Sequence, residues 1–253
     1  QMKLIIDIET IAYRHASSNE KEYEINDGLW GYFCDVETAK FGIEQDIERF
    51  TSFAPDHTPV LAIGDKNNFR YGVWPTYKGQ RRKYRKPAGY GTLREWYREN
   101  WEVKQIPNVE ADDVIGLIAD DGDIIVSGDK DLKTIPGLHL VGDEVIEISQ
   151  READMNFYKQ VLVGDVADNF PGCPTIGNAN PMFKKDNWIH APSDMVLWAI
   201  VVETFAKVAK KYPEKTPAPL KMARCARILR AGEYDSVTEQ PLLWTPPMEA
   251  ARW

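Results

Sequence analysis

The first half of the chain alternates short apolar runs with longer segments of helical periodicity. The apolar runs have the length of strands and are Lys3 to Ile8, Val60 to Ile63, Glu102 to Ile106 and Asp123 to Val126. Because such runs are typical of strands buried on both faces, they predict a parallel sheet. Between them, Glu37 to Phe53 and Ala111 to Ala119 carry apolar residues at helical spacing. Strands that alternate with helices predict an α/β fold.

After about residue 155 the pattern changes to helices and turns. A Gly/Pro-rich turn at Pro171 to Gly177 precedes two helical segments, Ser193 to Tyr212 and Leu220 to Arg230. We therefore predict two domains, an α/β domain at 2–155 that includes a basic segment at 67–105, and a helical domain at 156–253.

Composition and the length of the apolar runs exclude several classes of protein. The longest apolar stretches, such as Met195 to Val202, are far shorter than the roughly 20 residues that cross a bilayer, and no charged and apolar leader opens the chain. Three cysteines without a C-x-x-C pair argue against a disulfide framework or a cysteine zinc site. We expect a cytoplasmic protein that does not associate with membranes. Its net charge of -8 argues against a general polyanion binder.

One segment departs from this acidic average. Between Lys78 and Lys104 the chain carries nine cations against three acids. Five aromatic residues are interleaved with this segment: Tyr77, Tyr84, Tyr90, Trp96 and Tyr97. Cations of this kind can bind phosphates while the rings stack on bases. The alternative is an ordinary solvated face, which is what most charge runs are.

Acidic residues recur in tight groups after the apolar strands. The groups are Asp7 with Glu9; Asp65; Glu110 with Asp112 and Asp113; Asp129 with Asp131; and Asp165 with Asp168. In an open α/β sheet the ligand site lies beyond the carboxyl ends of the strands. Carboxylates packed there repel one another unless a divalent cation neutralises them, and an all-oxygen site favours Mg²⁺ or Mn²⁺. Two such ions can activate water and stabilise the leaving oxygen in phosphodiester hydrolysis. Capping of helices and turns is the alternative.

The acids stand within longer motifs that occur in a fixed order. These are Asp7; Asp65 followed by Phe69-Arg70 and Tyr77-Lys78-Gly79-x-Arg81; Glu110-Ala-Asp-Asp113; Ser127-Gly-Asp-Lys-Asp-Leu132; and Gly164-Asp-x-x-Asp-Asn-x-Pro-Gly172. In this combination the chain resembles the flap endonuclease and 5′-3′ exonuclease family, especially its bacteriophage members, over roughly residues 3 to 185.

This resemblance implies a PIN-like 5′ nuclease core with a parallel sheet, a helical arch at the basic segment and a helical C-terminal helix-turn-helix region. It implies a metal-dependent, structure-specific 5′ nuclease that hydrolyses phosphodiester bonds of DNA by a two-metal-ion mechanism, in phage DNA replication or recombination. The expected partners are DNA with 5′ ends, flaps or junctions and replication proteins. The protein is expected to be a monomer in the host cytoplasm.

The resemblance also assigns roles to individual residues. It implies metal ligands in two groups, Asp7, Asp65, Glu110, Asp112 and Asp113 in one and Asp129, Asp131, Asp165 and Asp168 in the other. It implies catalytic roles for Lys78, Arg81, Arg82, Asp112 and Asp129. It implies contacts with DNA by Arg70, Tyr77, Lys78, Arg81, Arg82, Lys83 and Arg85, and by Gly172 and Gly177 at the turn, where K⁺ binds in the family.

Two competing interpretations remain at this stage. Asp7-Ile8-Glu9-Thr10 also resembles the D-x-E-T opening of 3′-5′ proofreading exonucleases, with His139-x-x-x-Asp143 as their closing element. That family gives no reason for the other motifs. A non-catalytic junction-binding protein would use the basic segment alone, but its net acidic charge would repel a phosphate backbone.

Overall fold

The computed structural model describes residues 1–126 and 128–247, and of Arg82 and Lys83 it describes the backbone only. Ser127, which opens the Ser-Gly-Asp motif, therefore lies outside the described residues. The helices are α1 (Ile8–Ser18), α2 (Val36–Phe53), α3 (Arg70–Val73), α4 (Tyr90–Asn100), α5 (Ala111–Ile118), α6 (Gln150–Val163), α7 (Asp186–Ile189), α8 (Asp194–Lys211) and α9 (Pro219–Ala226). The strands are β1 (Lys3–Asp7), β2 (Glu20–Asn26), β3 (Leu29–Cys34), β4 (Thr58–Ile63), β5 (Glu102–Gln105), β6 (Ile124–Val126), β7 (Gly137–Val141), β8 (Glu144–Ile148), β9 (Tyr234–Asp235) and β10 (Gln240–Pro241).

A six-stranded sheet with the order β5-β4-β1-β6-β7-β8 forms the centre of the α/β half. Its pairs are parallel except for the antiparallel pair of β7 and β8 at one edge. The four predicted strands are thus confirmed as a parallel sheet, and the predicted helices at 37–53 and 111–119 correspond to α2 and α5. The sequence pattern did not reveal β7 and β8, because both mix exposed and buried residues, whereas the central strands β1, β4 and β6 have continuous buried runs.

Helices cover both faces of this sheet. On one face α1, α2 and α4 bury a cluster that includes Leu4 and Ile6, and on the other α5 packs over Ile5 and Ile125. Ile228 and Leu229, which follow α9, join the second face. A Cβ built on Gly116 of α5 would lie 2.0 Å from the carbonyl oxygen of Leu229, so glycine permits this close approach of the backbones.

The predicted basic arch at 67–105 contains α3, a 3₁₀ turn at Gly79–Lys83 and α4. Three of the rings expected to stack on bases, Tyr77, Tyr90 and Tyr97, are buried in the core. This part of the prediction is wrong, because amphipathic α4 turns Tyr90 and Tyr97 towards α1 and the sheet, while Tyr77 packs into the apolar cluster of the helical half. Tyr84 alone among the five is largely exposed, at 79%.

The second half is helical, as predicted. α6, α8 and α9 enclose an apolar cluster that also receives Tyr77 and Phe170. A two-stranded hairpin of β2 and β3, which the sequence pattern did not reveal, lies outside the central sheet between α1 and α2. Within the described ranges, no helix is both long and apolar enough to span a bilayer.

Candidate active site

The carboxyl ends of β1, β4 and β6 lie at the same edge of the sheet, because these strands run parallel and adjacent. A cavity of about 980 Å³ opens at this edge. Eight carboxylates line it: Asp7, Glu9, Glu110, Asp112, Asp129, Asp131, Asp165 and Asp168. The structure therefore brings together seven of the nine predicted metal ligands and adds Glu9.

Local hydrogen bonds hold several of these carboxylates in place. Asp7 caps α1, and its Oδ2 accepts a bond of 2.6 Å from the Thr10 hydroxyl. Asp129 accepts 2.8 Å from the amide of Asp131, and Asp165 accepts 2.9 Å from the amide of Asp168. The capping interpretation is thus also correct, since these side chains cap the start of a helix or turn and also line the cavity.

Mutual repulsion marks the centre of the group. Burial and the charges of Asp7, Glu110 and Asp129 raise the pKa of Asp112 well above its usual range. Burial, Asp129 and Asp165 raise the pKa of Asp131 to about 7. The positive charge around Asp112 and Asp131 is therefore too small to offset repulsion from the neighbouring acids. A bound cation would supply that charge, so the electrostatics are those of a cation site.

Cationic side chains also line the cavity. The Lys78 ammonium contacts Glu110 and lies 3.6 Å from Asp168, and the Arg81 guanidinium donates to Asp168 over 2.8 Å. Lys78 has a left-handed backbone with φ of 50°, and its amide donates 2.8 Å to the Asp168 carbonyl. This strained residue is therefore anchored to the loop that carries Asp165 and Asp168. Arg81 remains largely exposed and can reach a bound molecule.

Tyr77 lies beneath these charges. Its hydroxyl is 2.8 Å from Glu110 and 2.7 Å from Asp168. A phenol carries one proton, so it donates to one carboxylate at a time. Burial would raise the pKa of Glu110, but Lys78 and Arg70 beside it bring that pKa below its usual value. The Tyr77 side chain is 2% exposed, which argues against the predicted contact with DNA, and its hydroxyl is held between the two carboxylates.

Two predicted site residues form a buried ion pair instead. Arg70 donates to both oxygens of Asp113 over 2.6 and 2.8 Å, and both side chains are buried. The guanidinium also donates to the carbonyl oxygens of Cys225 and Arg227. Asp113 is therefore engaged by a buried cation and is not among the residues that line the cavity, and Arg70 is too deeply buried to contact DNA. Together they attach the segment after α9 to α5.

Asp65 also departs from its prediction. It follows β4, yet it is not among the residues that line the cavity. Its oxygens accept 2.7 Å from the amide of Lys66 and 2.9 Å from the amide of Asn108. These bonds direct the carboxylate to the loop before α5, and they lower its pKa.

The remaining predicted contacts differ in accessibility. Arg85 is exposed and lines the cavity, whereas the side chains of Arg82 and Lys83 lie outside the described part of the chain. Gly172 is buried with φ of +62°, and a Cβ there would lie 2.3 Å from the amide of Gly164, so its role is packing. Gly177 is exposed, and a Cβ there would meet no atom within 4 Å.

Sequence reasoning gave no role to Tyr13 and Lys130, which also line the cavity. Lys130 stands inside the Ser-Gly-Asp-Lys-Asp-Leu motif, which was the available signal. The proofreading alternative loses its closing element. His139 is buried in β7 with its ring nitrogen 2.9 Å from the Ile135 carbonyl, and Asp143 pairs with Arg49 over 2.6 Å.

The donor set fits a hard divalent cation. The described residues that line the cavity supply carboxylate oxygens and no His or Cys. Among the residues described, however, no three such side chains converge closely enough to hold an ion as they stand. The side-chain contacts of Glu110 and Asp168 explain part of this, since both are engaged by Tyr77 and Lys78.

The chain is similar in sequence to bacteriophage exonucleases and to part of a bacterial DNA polymerase. The chain is 28% identical over 279 residues to the exodeoxyribonuclease of Enterobacteria phage T3, covering 96% of this chain and 92% of that protein. It is 26% identical over 281 residues to the exonuclease of Escherichia phage T7, covering 96% and 93%. It is also 31% identical over 149 residues to DNA polymerase I of Bacillus subtilis, which covers 49% of this chain and 17% of the polymerase. No protein-family model matches the chain.

Solved structures share the fold. A bacteriophage T5 protein co-crystallized with metal ions aligns with a TM-score of 0.52 at 16% identity, covering 88% of this chain and 100% of that one. A variant of the bacteriophage T5 flap endonuclease, in a pseudo-enzyme-product complex with DNA and metal ions, aligns with a TM-score of 0.50 at 18% identity, covering 88% and 99%.

Proposed function

We propose that the chain belongs to the flap endonuclease and 5′-3′ exonuclease family and is a metal-dependent 5′ nuclease that hydrolyses phosphodiester bonds of DNA. Its similarity to two bacteriophage exonucleases over nearly the whole chain supports this proposal. The observation that carries this proposal is the single cavity in which eight carboxylates face Lys78, Arg81 and Arg85. Acids alone would repel a phosphate backbone, and the cations alone have no hydrolytic group. The two together provide a site for cations and a site for phosphate.

The proposed ligands are the seven predicted carboxylates that share the cavity. Asp7, Glu110 and Asp112 form one group, and Asp129, Asp131, Asp165 and Asp168 form the other. Two Mg²⁺ or Mn²⁺ ions bound there would activate a water and stabilise the leaving oxygen. The raised pKa values of Asp112 and Asp131 support this assignment, because nearby positive charge would relieve the repulsion that raises them.

The cationic side chains contact the substrate in this proposal. Lys78 and Arg81 exchange their bonds with Glu110 and Asp168 for bonds to the phosphate, and their charge offsets the negative charge that develops during hydrolysis. Arg85 contacts the next phosphate at the mouth of the cavity. Arg82 and Lys83 follow Arg81 along the same turn and are proposed to contribute in the same way.

We also propose a DNA substrate and a role for each half of the chain. The enzyme recognises DNA at 5′ ends, flaps or junctions, with an α/β catalytic domain at 2–155 and a duplex-binding domain at 156–253. The exposed amide region around Gly177 holds the duplex backbone, with a K⁺ ion bound at the turn. We further propose that the protein is monomeric and acts with replication proteins in the host cytoplasm during phage DNA replication or recombination.

Cleavage of end-labelled duplex tests this function. Duplexes labelled at the 5′ or the 3′ end are incubated with the protein and Mg²⁺, and we expect early loss of the 5′ label. Asp129→Asn should abolish cleavage, while Asp121→Asn, which alters an exposed acid outside the cavity, should not. Loss of the 3′ label first would favour the proofreading alternative. A fully active Asp129→Asn variant would refute the assignment of the carboxylates.

A further inference from the structure

The hairpin of β2 and β3 presents an aromatic face that the proposed reaction does not use. Residues opposite each other in the pair share a face, and Glu22 pairs with Tyr32 while Glu24 pairs with Trp30. Trp30 and Tyr32 are 52% and 44% exposed and lie two residues apart, about 6.6 Å along the strand. Two large rings thus stand side by side on the surface.

This face is connected to the cavity through Arg85. The Arg85 guanidinium donates to both carboxylate oxygens of Glu20 over 2.7 and 2.6 Å, and it lies 3.4 Å from the centre of the Tyr32 ring. Glu20 also accepts from the amide of Ala88. Arg85 itself lines the cavity. Arg85 therefore contacts the aromatic face of the hairpin and also lines the candidate active site.

We propose that Trp30 and Tyr32 form a stacking platform for unpaired bases of a single strand that leaves the cavity past Arg85. The proposal rests on the proposed function, since it assumes that the cavity binds a phosphate backbone. Glu20 is a positioning residue in this arrangement. It holds Arg85 against Tyr32. This contact fixes the distance between the phosphate that Arg85 binds and the bases that stack on Trp30 and Tyr32.

Charge on the hairpin favours unpaired bases over a duplex. The segment 20–34 carries four acids and one lysine, and Glu22 and Glu24 stand directly across from the two rings. A duplex exposes its phosphates on the outside and would meet these carboxylates at close range. A single strand can turn its bases to the rings and its backbone away from the acids. The same face therefore attracts bases and repels duplex backbone.

The binding of single-stranded overhangs tests the platform. In the Asp129→Asn background, fluorescence anisotropy in Mg²⁺ compares a duplex that has a 5′ single-stranded overhang with a blunt duplex of the same sequence. Trp30→Ala should weaken binding of the overhang about 10-fold, as expected for loss of one stacked base, and leave the blunt duplex within 2-fold. Phe33→Ala is the matched control, because Phe33 is 58% exposed on the opposite face of the same strand.

Several results would overturn the proposal. It fails if Trp30→Ala leaves overhang binding unchanged, weakens both DNAs equally, or has the same effect as Phe33→Ala. It also fails if sedimentation shows that the wild-type protein is a dimer that Trp30→Ala dissociates, since the rings would then be a protein interface. As a second variant, Glu22→Gln with Glu24→Gln should tighten binding of blunt duplex, and unchanged duplex binding contradicts the role given to these acids.

Cleavage of blunt duplex by the wild-type protein separates this proposal from the proposed function. If the wild-type protein cleaves and Trp30→Ala binds the overhang normally, only the platform is wrong. If the wild-type protein cleaves no DNA in Mg²⁺, the function itself is wrong, and the platform falls with it.

Discussion

Replacement of Asp131 by Asn should stabilise the protein at alkaline pH. Asp131 lies half-buried beside Asp129 and Asp165, and its pKa is raised from 3.8 to about 7 by burial and by these two charges. Each pKa unit corresponds to about 1.4 kcal/mol, so the ionised side chain costs at most about 4 kcal/mol. Partial exposure screens this repulsion, and we expect Asp131→Asn to raise the free energy of unfolding by about 1–2 kcal/mol at pH 8.

The stabilisation by Asp131→Asn should increase with pH. The folded protein binds the Asp131 proton more tightly than the unfolded chain, so the cost is complete above pH 7 and decreases as the pH falls towards 4. Urea unfolding in EDTA, followed by circular dichroism, should therefore show a gain at pH 8 that falls to less than half at pH 5. Asp121→Asn, which changes an exposed acid outside the cavity, serves as the control. A variant less stable than wild type at pH 8, or a gain independent of pH, would refute the reasoning.

Three further substitutions test the assignments made from the structure. Asp113→Ala removes the bidentate carboxylate partner of the buried Arg70 guanidinium and leaves Glu110, 3.4 Å away, as a weaker one, so urea unfolding should show a loss of about 3–5 kcal/mol. If Asp113 were a metal ligand, the variant would instead show reduced metal affinity by calorimetry with little loss of stability. Gly116→Ala sets a Cβ against the Leu229 carbonyl and should cost at least about 2 kcal/mol, and an unchanged melting temperature would contradict this packing. Tyr77→Phe keeps the ring but removes its hydroxyl, so the protein should lose about 1–2 kcal/mol and bind blunt duplex normally in anisotropy; weaker binding would mean that Tyr77 contacts DNA after all.

Much of the fold follows from local patterns. Continuous apolar runs predicted β1, β4 and β6, because strands buried on both faces cannot alternate. The edge strands β7 and β8 and the exposed hairpin of β2 and β3 escaped prediction for the same reason, since their exposed faces carry polar or mixed residues. The fourth predicted strand, β5, lies at the edge of the sheet and is largely exposed. The tyrosines of α4 were misread, because cations on one face of an amphipathic helix conceal that the other face is buried.

By itself, the sequence determined that acids follow the strands of a parallel sheet and that a basic segment lies between two of those strands. Strand direction places five of the predicted carboxylates, Asp7, Glu110, Asp112, Asp129 and Asp131, at one edge of the sheet, and the loop after α6 adds Asp165 and Asp168. Only the tertiary structure decided the partners of each acid. Asp112 and Asp113 are neighbours in sequence, yet helical geometry points one into the cavity and the other towards Arg70, 43 residues away. Side chains one residue apart on a helix do not share a face, so an acid-rich motif cannot reveal which of its members meets a buried cation.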